Sequence, residues 1–150
     1  MAEFWQGRGG QLLVAALVVG LAAVALAVLS PDRETGDLGG TTWTLLAYGP
    51  ADAPIPAQAP ASITFEANGR FGGSTGCNQF SGNFRAADGQ LSFVDGEVAF
   101  TAMGCDPTSA EGQQEEFFRS HLSRIRYTHT ADRLTLHLAD GQIAEYVRAP

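Results

Sequence analysis

Two cysteines and three histidines are the side chains of this 150-residue chain that could do nucleophilic or metal chemistry. Cys77 lies in the glycine-rich run GGSTGCNQFSGNF, residues 72–84, and Cys105 follows it in the run TAMGC, residues 101–105. A cysteine beside a histidine base would be a nucleophile, paired cysteines would form a disulfide, and convergent histidines would bind a metal. The spacing of these residues decides which chemistry is open to the chain.

The positions of the histidines argue against catalysis and metal binding. A two-residue turn at residues 131–132 pairs His129 with Leu134, which puts His129 on the same side of a sheet as the leucines. His137 alternates onto the opposite face, and His121 falls on a predicted helix. This distribution gives neither a shared metal nor a base next to the first cysteine, and no zinc-motif spacing is present. We therefore predict no catalytic residue, no cofactor-binding residue and no metal ligand.

The glycines around the first cysteine invite comparison with a phosphate-binding loop. No lysine follows Gly76 and no helix begins there, so the phosphate interpretation fails. Glycines at a bend between strands instead allow a sharp twist or the close approach of another backbone. Asn78 tolerates left-handed backbone angles and hydrogen-bonds to nearby main chain. We expect this run to place Cys77, Asn78 and Gln79 where they satisfy buried polar groups.

The two cysteines leave three alternatives. An even number of cysteines in a small exported domain favours a disulfide between Cys77 and Cys105. Closing a loop of this length would stabilise the fold by roughly 3–4 kcal/mol in the chain-entropy model. Two buried, reduced and inert thiols are the second alternative. A reactive Cys77 is the third, although neither a helix start nor a cationic side chain adjoins it in sequence to lower the pKa of its thiol.

The amino-terminal part of the chain predicts export. Residues 12–29 are 18 residues without a charged or polar side chain, long enough to span roughly 27 Å as a helix. An uncleaved anchor is favoured over a signal cleaved at Ala25-Leu26-Ala27, and a soluble core helix is the remaining alternative. Arg8 precedes the span and acids follow it, so the carboxy-terminal part should lie outside the cytoplasm. The predicted organisation is a cytoplasmic terminus at 1–11, a transmembrane anchor or signal at 12–30, a linker at 31–39 and a domain at 40–148.

The charge of the domain excludes two classes of partner. The chain contains no lysine, and from residue 38 onward seven arginines stand against twelve acids, a net charge of −5. A domain with this net negative charge lacks the excess of basic residues that binds a phosphate backbone. For the same reason its charge does not attract it to an anionic membrane surface. We predict that it does not bind nucleic acid.

Short alternating segments separated by turn pairs predict a domain that is mainly β with one helix (α+β), a curled antiparallel sheet or a barrel. Residues 108–111 form a predicted capping box, and Phe118, Leu122 and Ile125 form the apolar stripe of the helix that follows. Residues 49–60 contain four prolines and are predicted to be an exposed loop without ladder pairing. The predicted strands cover residues 42–47, 63–65, 70–74, 80–85, 91–93, 98–103, 126–130, 133–138 and 143–147.

Four features of the chain match a known family: the cysteine-containing runs, Gly40-Thr41-Thr42-Trp43, a Gln-Glu-rich helix and Leu134-Thr135-Leu136. Together they resemble the META domain (HslJ-like) family over residues 38–147. The resemblance implies a β-rich fold with one helix. It also implies a role in envelope stress, since the family is associated with heat shock and novobiocin resistance. A transmembrane span stands here in place of the lipid-modified cysteine of many bacterial relatives. The motif residues carried over are Trp43, Gly73, Gly76, Cys77, Asn78, Gly82, Met103 and Cys105.

The sequence therefore predicts a non-catalytic, membrane-tethered, extracytoplasmic META domain with a binding or structural role at the bacterial envelope. Its expected partners are the membrane, through the amino-terminal helix, and an envelope protein or small ligand. It would be secreted if the signal were cleaved. Two alternatives remain: an extracytoplasmic hydrolase inhibitor that uses the proline-rich loop at 49–60 as its contact edge, and a thiol-dependent enzyme that uses Cys77.

Overall fold

The computed structural model describes residues 35–94, 98–122 and 125–150. The predicted cytoplasmic terminus at 1–11, the predicted transmembrane or signal segment at 12–30 and the first part of the predicted linker lie outside these residues. Within the described residues, no helix has the length and apolar character needed to cross a membrane.

The described residues contain ten strands, which follow from the alternating sequence pattern, and one α-helix. The strands are β1 (Thr41–Pro50), β2 (Ile55–Pro56), β3 (Ser62–Phe65), β4 (Arg70–Ser74), β5 (Gln79–Ala87), β6 (Gln90–Phe93), β7 (Ala99–Phe100), β8 (Ile125–His129), β9 (Arg133–His137) and β10 (Gln142–Arg148). The helix is α1 (Ala110–His121), and short 3-10 helices cover Gly36–Leu38 and Ala139–Gly141. Every pairing between strands is antiparallel.

Eight of the strands close into a barrel. The order is β10-β9-β8-β6-β5-β4-β3-β1, and β1 pairs again with β10 from Trp43 opposite Arg148 to Pro50 opposite Gln142. β2 pairs with β1, and β7 pairs with β5, as short side strands. Closure removes the free edges that an open sheet would expose. The predicted fold class, mainly β with one helix in a barrel-like sheet, is confirmed for the described residues.

The barrel interior holds the core, because inward-facing apolar residues alternate with outward-facing polar ones along each strand. Trp43 and Leu45 are both buried and point inward from β1. The predicted pairing of His129 with Leu134 is also observed. The end of the predicted linker contributes to this core, since the Leu38 side chain is completely buried and its carbonyl accepts the Thr41 hydroxyl.

The helix is shorter than its apolar pattern predicts and begins one residue later. Ser109 is the N-cap, and its Oγ accepts the Gly112 N–H at 3.0 Å, whereas Thr108 bonds to Asp106 instead. The helix ends at His121, so the prediction that Ile125 lies on its stripe is wrong. Ile125 is the first residue of β8 and is buried there. Its spacing of seven residues from Phe118 is compatible with a helical face and also with an inward position on the next strand, so the spacing alone does not distinguish the two.

The bounds predicted for the loop at 49–60 and for the strand at 98–103 were wrong, because pairing with distant parts of the chain sets where these strands begin and end. Residues 49–60 are not free of ladder pairing, since β1 continues to Pro50 and β2 pairs Ile55 with Tyr48. Proline is tolerated there because β2 is a short edge strand. The strand predicted at 98–103 is regular only in β7. Beyond Phe100, the Thr101 N–H donates to the Gln79 carbonyl and the Met103 N–H donates to the Asn78 side chain.

Candidate functional site

The glycine-rich run forms a tight turn between β4 and β5. Gly76 at its centre has φ +105°, and a Cβ there would lie 2.7 Å from the Ala59 side chain. The positive φ predicted as tolerable for Asn78 is taken by Gly76 instead. At Gly73, a Cβ would overlap the Ser62 carbonyl and the Phe80 ring. Both glycines therefore permit close approach of neighbouring chain.

Two further motif residues support the barrel rather than this turn. Trp43 is completely buried, donates its indole N–H to the Thr41 hydroxyl at 2.7 Å and lies beneath the Arg148 guanidinium. Gly82 is a half-buried residue of β5 opposite Phe71.

Asn78 is the centre of the hydrogen-bond network beside the turn. Its side chain is 1% exposed, and its Oδ1 accepts the Thr101 hydroxyl at 2.7 Å and the Met103 N–H at 2.9 Å. Its Nδ2 donates to the Met103 carbonyl at 3.3 Å and contacts the Cys105 sulfur. One amide thus pairs with both backbone groups of Met103, as a neighbouring strand would.

Cys77 and Cys105 form a disulfide, with their Cα atoms 6.2 Å apart. The bond ties the turn to the exposed segment that follows β7. Of the three alternatives for the cysteines, the structure has the disulfide. The disulfide and the Asn78 side chain both hold this segment, so Met103 has a fixed backbone although it is 64% exposed.

The helix attaches to this turn through a completely buried glutamine. Gln114 accepts the backbone N–H groups of Gln58 at 2.9 Å and Ala59 at 3.3 Å through Oε1. Its Nε2 donates to the carbonyls of Ala59, at 3.2 Å, and Thr75. Both acceptor positions and both N–H donors of the amide are used. These bonds satisfy backbone groups that are not paired within any strand ladder.

The neighbouring carboxylate completes the attachment. Glu115 is buried, and its Oε2 accepts the Thr75 hydroxyl and the Asn78 N–H, while its Oε1 accepts the Arg119 guanidinium. Arg119 also donates to the Thr101 carbonyl at 3.0 Å and lies 4.4 Å from the centre of the Phe100 ring. Within the described residues, every buried side-chain nitrogen and oxygen has a partner.

Sequence reasoning missed the buried roles of Gln114, Glu115 and Thr75. Glu115 is buried, whereas its neighbour Glu116 is exposed. A signal was present, because Gln114 precedes the core residue Phe118 by one helical turn. A polar residue on the apolar face of a helix indicates a buried hydrogen-bond network.

A groove of about 650 Å³ opens where these elements meet. Asn78 and Glu115 lie at its base, the segment from Met103 to Cys105 forms one side with Pro107, and the helix forms the other with Gln113, Glu116 and Arg119. The motif residues Asn78, Met103 and Cys105 are therefore brought together at one concave site. Gln79 is exposed and lines a separate shallow depression with β7.

The histidines lie elsewhere. His121 bonds to the Phe117 carbonyl, His129 to Asp37, and His137 to the Thr128 hydroxyl on the outer face of the barrel. Among the residues described, no three His, Cys, Asp or Glu side chains are grouped so that they could hold a metal.

Two of the pKa shifts that follow from the local structure concern a carboxyl before the helix and a tyrosine of the barrel core. The backbone N–H and hydroxyl of Thr108 both donate to Asp106 and lower the pKa of its carboxyl. Burial inside the barrel raises the pKa of Tyr146 well above its usual value. Neither shift creates an acid or base poised near neutral pH in the groove.

The described part of the chain is thus a small closed barrel, with one helix fastened to it by a buried Gln-Glu pair and a disulfide-bonded turn. The family model of the META domain matches residues 36–150, and the chain belongs to this family. A solved structure of a protein from Burkholderia xenovorans is 27% identical, with a TM-score of 0.61 over 80% of this chain and 88% of that one. A second solved structure is 23% identical, with a TM-score of 0.56 over 79% and 94%. None of the curated proteins matches the chain.

Proposed function

We propose that this protein is a non-catalytic binding module, tethered to the bacterial cytoplasmic membrane with its META domain outside. The groove between the Met103–Cys105 segment and the helix is its binding site. The observation that carries the proposal is the convergence of Asn78, Met103 and Cys105 on one groove whose sulfurs and buried carboxylate are already engaged. The two sulfurs are bonded to each other, and Glu115 is held by Thr75, Asn78 and Arg119.

Binding at the groove is tested by site-specific photocrosslinking of the full chain in growing cells. A photoreactive amino acid replaces Gln113, an exposed residue at the groove, or Thr44, an exposed residue on the barrel wall, as the matched control. The expected result is a discrete adduct from position 113 and none from position 44. Identical adducts from both positions, or none from either, would contradict the proposed site.

The extracytoplasmic location is supported by the apolar segment 12–29, by the acids that follow it and by the disulfide. Ala87→Cys puts one free thiol on an exposed position of β5. We expect a membrane-impermeant maleimide to label this variant in intact cells, whereas the wild-type chain is labelled only after reduction. Labelling of Ala87→Cys only after lysis would place the domain in the cytoplasm. A free, reactive thiol in the unreduced wild type would favour the thiol-enzyme alternative.

The hydrolase-inhibitor alternative is favoured by one observation. Ile55 is a large apolar residue between two prolines, and its side chain is 46% exposed on the outer strand β2. Deleting the whole loop would also remove Gln58 and Ala59, which anchor Gln114, so Ile55→Asp is the sharper test. Loss of hydrolase capture with Ile55→Asp, but not with Leu46→Asp at another exposed site, would support an inhibitory edge. Unchanged capture would rule out this edge.

A further inference from the structure

The groove has two chemically different sides. On one side lie the exposed Met103 thioether and the Pro107 ring. On the other, the helix presents the exposed Glu116 carboxylate. Methionine adapts its shape to varied apolar groups, so this side suits an apolar side chain. The opposite side suits a cation.

The charge at the groove is not internally balanced. Glu116 accepts the Ser120 hydroxyl at 2.9 Å and makes no ion pair with any described residue. The nearby Arg119 is directed to Glu115, the Thr101 carbonyl and the Phe100 ring. The Glu115 carboxylate is therefore paired with an arginine. The Glu116 carboxylate remains available to a positively charged group of a partner.

The backbone on the side of the groove formed by residues 103–105 is also open. Gly104 lines the groove, a Cβ there would have nothing within 4 Å, and no described residue hydrogen-bonds its N–H or C=O. The preceding residue Met103 is already paired on its N–H and C=O by the Asn78 amide. An exposed glycine with an unpaired backbone, next to a residue whose backbone is fixed, is a point at which an extended polypeptide can add hydrogen bonds.

We propose that the groove binds an extended segment of a partner protein in which apolar and basic residues alternate. In an extended chain successive side chains point to opposite sides, so an apolar residue contacts Met103 and Pro107 while the next, basic residue faces Glu116. The partner backbone pairs with Gly104. This inference rests on the proposed function and names the kind of partner that the groove accepts.

The test uses the full chain in nanodiscs of zwitterionic phosphatidylcholine and a fluorescein-labelled peptide of alternating leucine and lysine. Fluorescence polarisation should show saturable binding of this peptide, and no binding to empty nanodiscs. The corresponding leucine-glutamate peptide should not bind. A leucine-lysine peptide methylated on alternate backbone nitrogens should bind at least fivefold more weakly, because it cannot complete the pairing.

Variants separate the two sides of the groove. Glu116→Gln should weaken binding about fivefold, as expected for loss of one exposed ion pair. Glu111→Gln removes an exposed acid of the same helix that does not line the groove and should have no effect. Met103→Ser should weaken binding about tenfold through lost apolar contact, whereas Leu46→Ser should not.

Equal affinity for both peptides, or equal effects of Glu116→Gln and Glu111→Gln, would overturn the inference. Absence of saturable binding would overturn it as well. If the leucine-lysine peptide does not bind but the photoreactive residue at position 113 still forms a discrete adduct, the inferred class of partner is wrong and the proposed function stands. If position 113 forms no adduct, the proposed function itself fails.

Discussion

Gln114 gives the sharpest test of how the helix is held. Replacing it with leucine keeps the helix propensity and approximate volume but removes four hydrogen bonds. The Ala59 N–H and C=O and the Thr75 C=O then lose their partner in a buried site. At about 1–3 kcal/mol for each unsatisfied group, less some relaxation, we expect a loss of about 3–5 kcal/mol. This is a large share of a typical domain stability of about 5–15 kcal/mol.

The assay is urea unfolding of the full chain in detergent, followed by fluorescence of the buried Trp43 in a Trp5→Phe background. Gln113→Leu is the matched control, since the same change is made at the adjacent, exposed position. It should cost less than about 0.5 kcal/mol. Gln114→Glu should also be strongly destabilising at neutral pH, because an ionised carboxylate cannot donate to two carbonyls, and it should partly recover below about pH 4. A Gln114→Leu variant within about 1 kcal/mol of Gln113→Leu would refute this account of the attachment.

Three other predictions concern the disulfide, a glycine and a tyrosine. Replacing Cys77 and Cys105 by serine should cost roughly 3–4 kcal/mol in urea unfolding, and reductant should then have no further effect. Gly73→Ala should destabilise by about 2 kcal/mol or more, through overlap with fixed backbone, whereas Gly104→Ala, with open space around it, should not change the midpoint. Because burial raises the pKa of Tyr146 in the folded state, the unfolded chain loses its proton first. Stability is therefore retained below about pH 10 and should fall above it by about 1.4 kcal/mol per pH unit for this group, seen as a midpoint shift that Tyr146→Phe reduces.

Most strands and turns of the sheet could be predicted because the information that sets them is local. Turn pairs such as Asn68-Gly69 and Asp88-Gly89 set strand ends, and alternation sets which residues point inward. The register of β8 with β9, including His129 opposite Leu134, follows from a single short turn. Closure between β1 and β10 joins distant parts of the chain, and no local pattern reports it.

The candidate site could be predicted only in part. The cysteines and Asn78 stood out by residue type, and a disulfide was one of the alternatives for the cysteines. The helix partners were missed because the helical face was read from apolar residues alone, although Gln114 and Glu115 also lie on it. Their role depends on backbone groups of Ala59 and Thr75 that only the tertiary fold leaves unpaired.

The pairing of β1 with β10 has a consequence for when this domain can fold. β1 is the first strand and needs β10, which ends at Arg148, to complete one of its edges. Contacts of such high sequence separation form late, since loop closure has to precede them. We expect barrel closure only after residue 148 has emerged. If the chain is exported as it is synthesised, the domain would therefore reach the outer side of the membrane with its sheet still open. Its folding would then be finished on the outer side, where the cysteines can be oxidised.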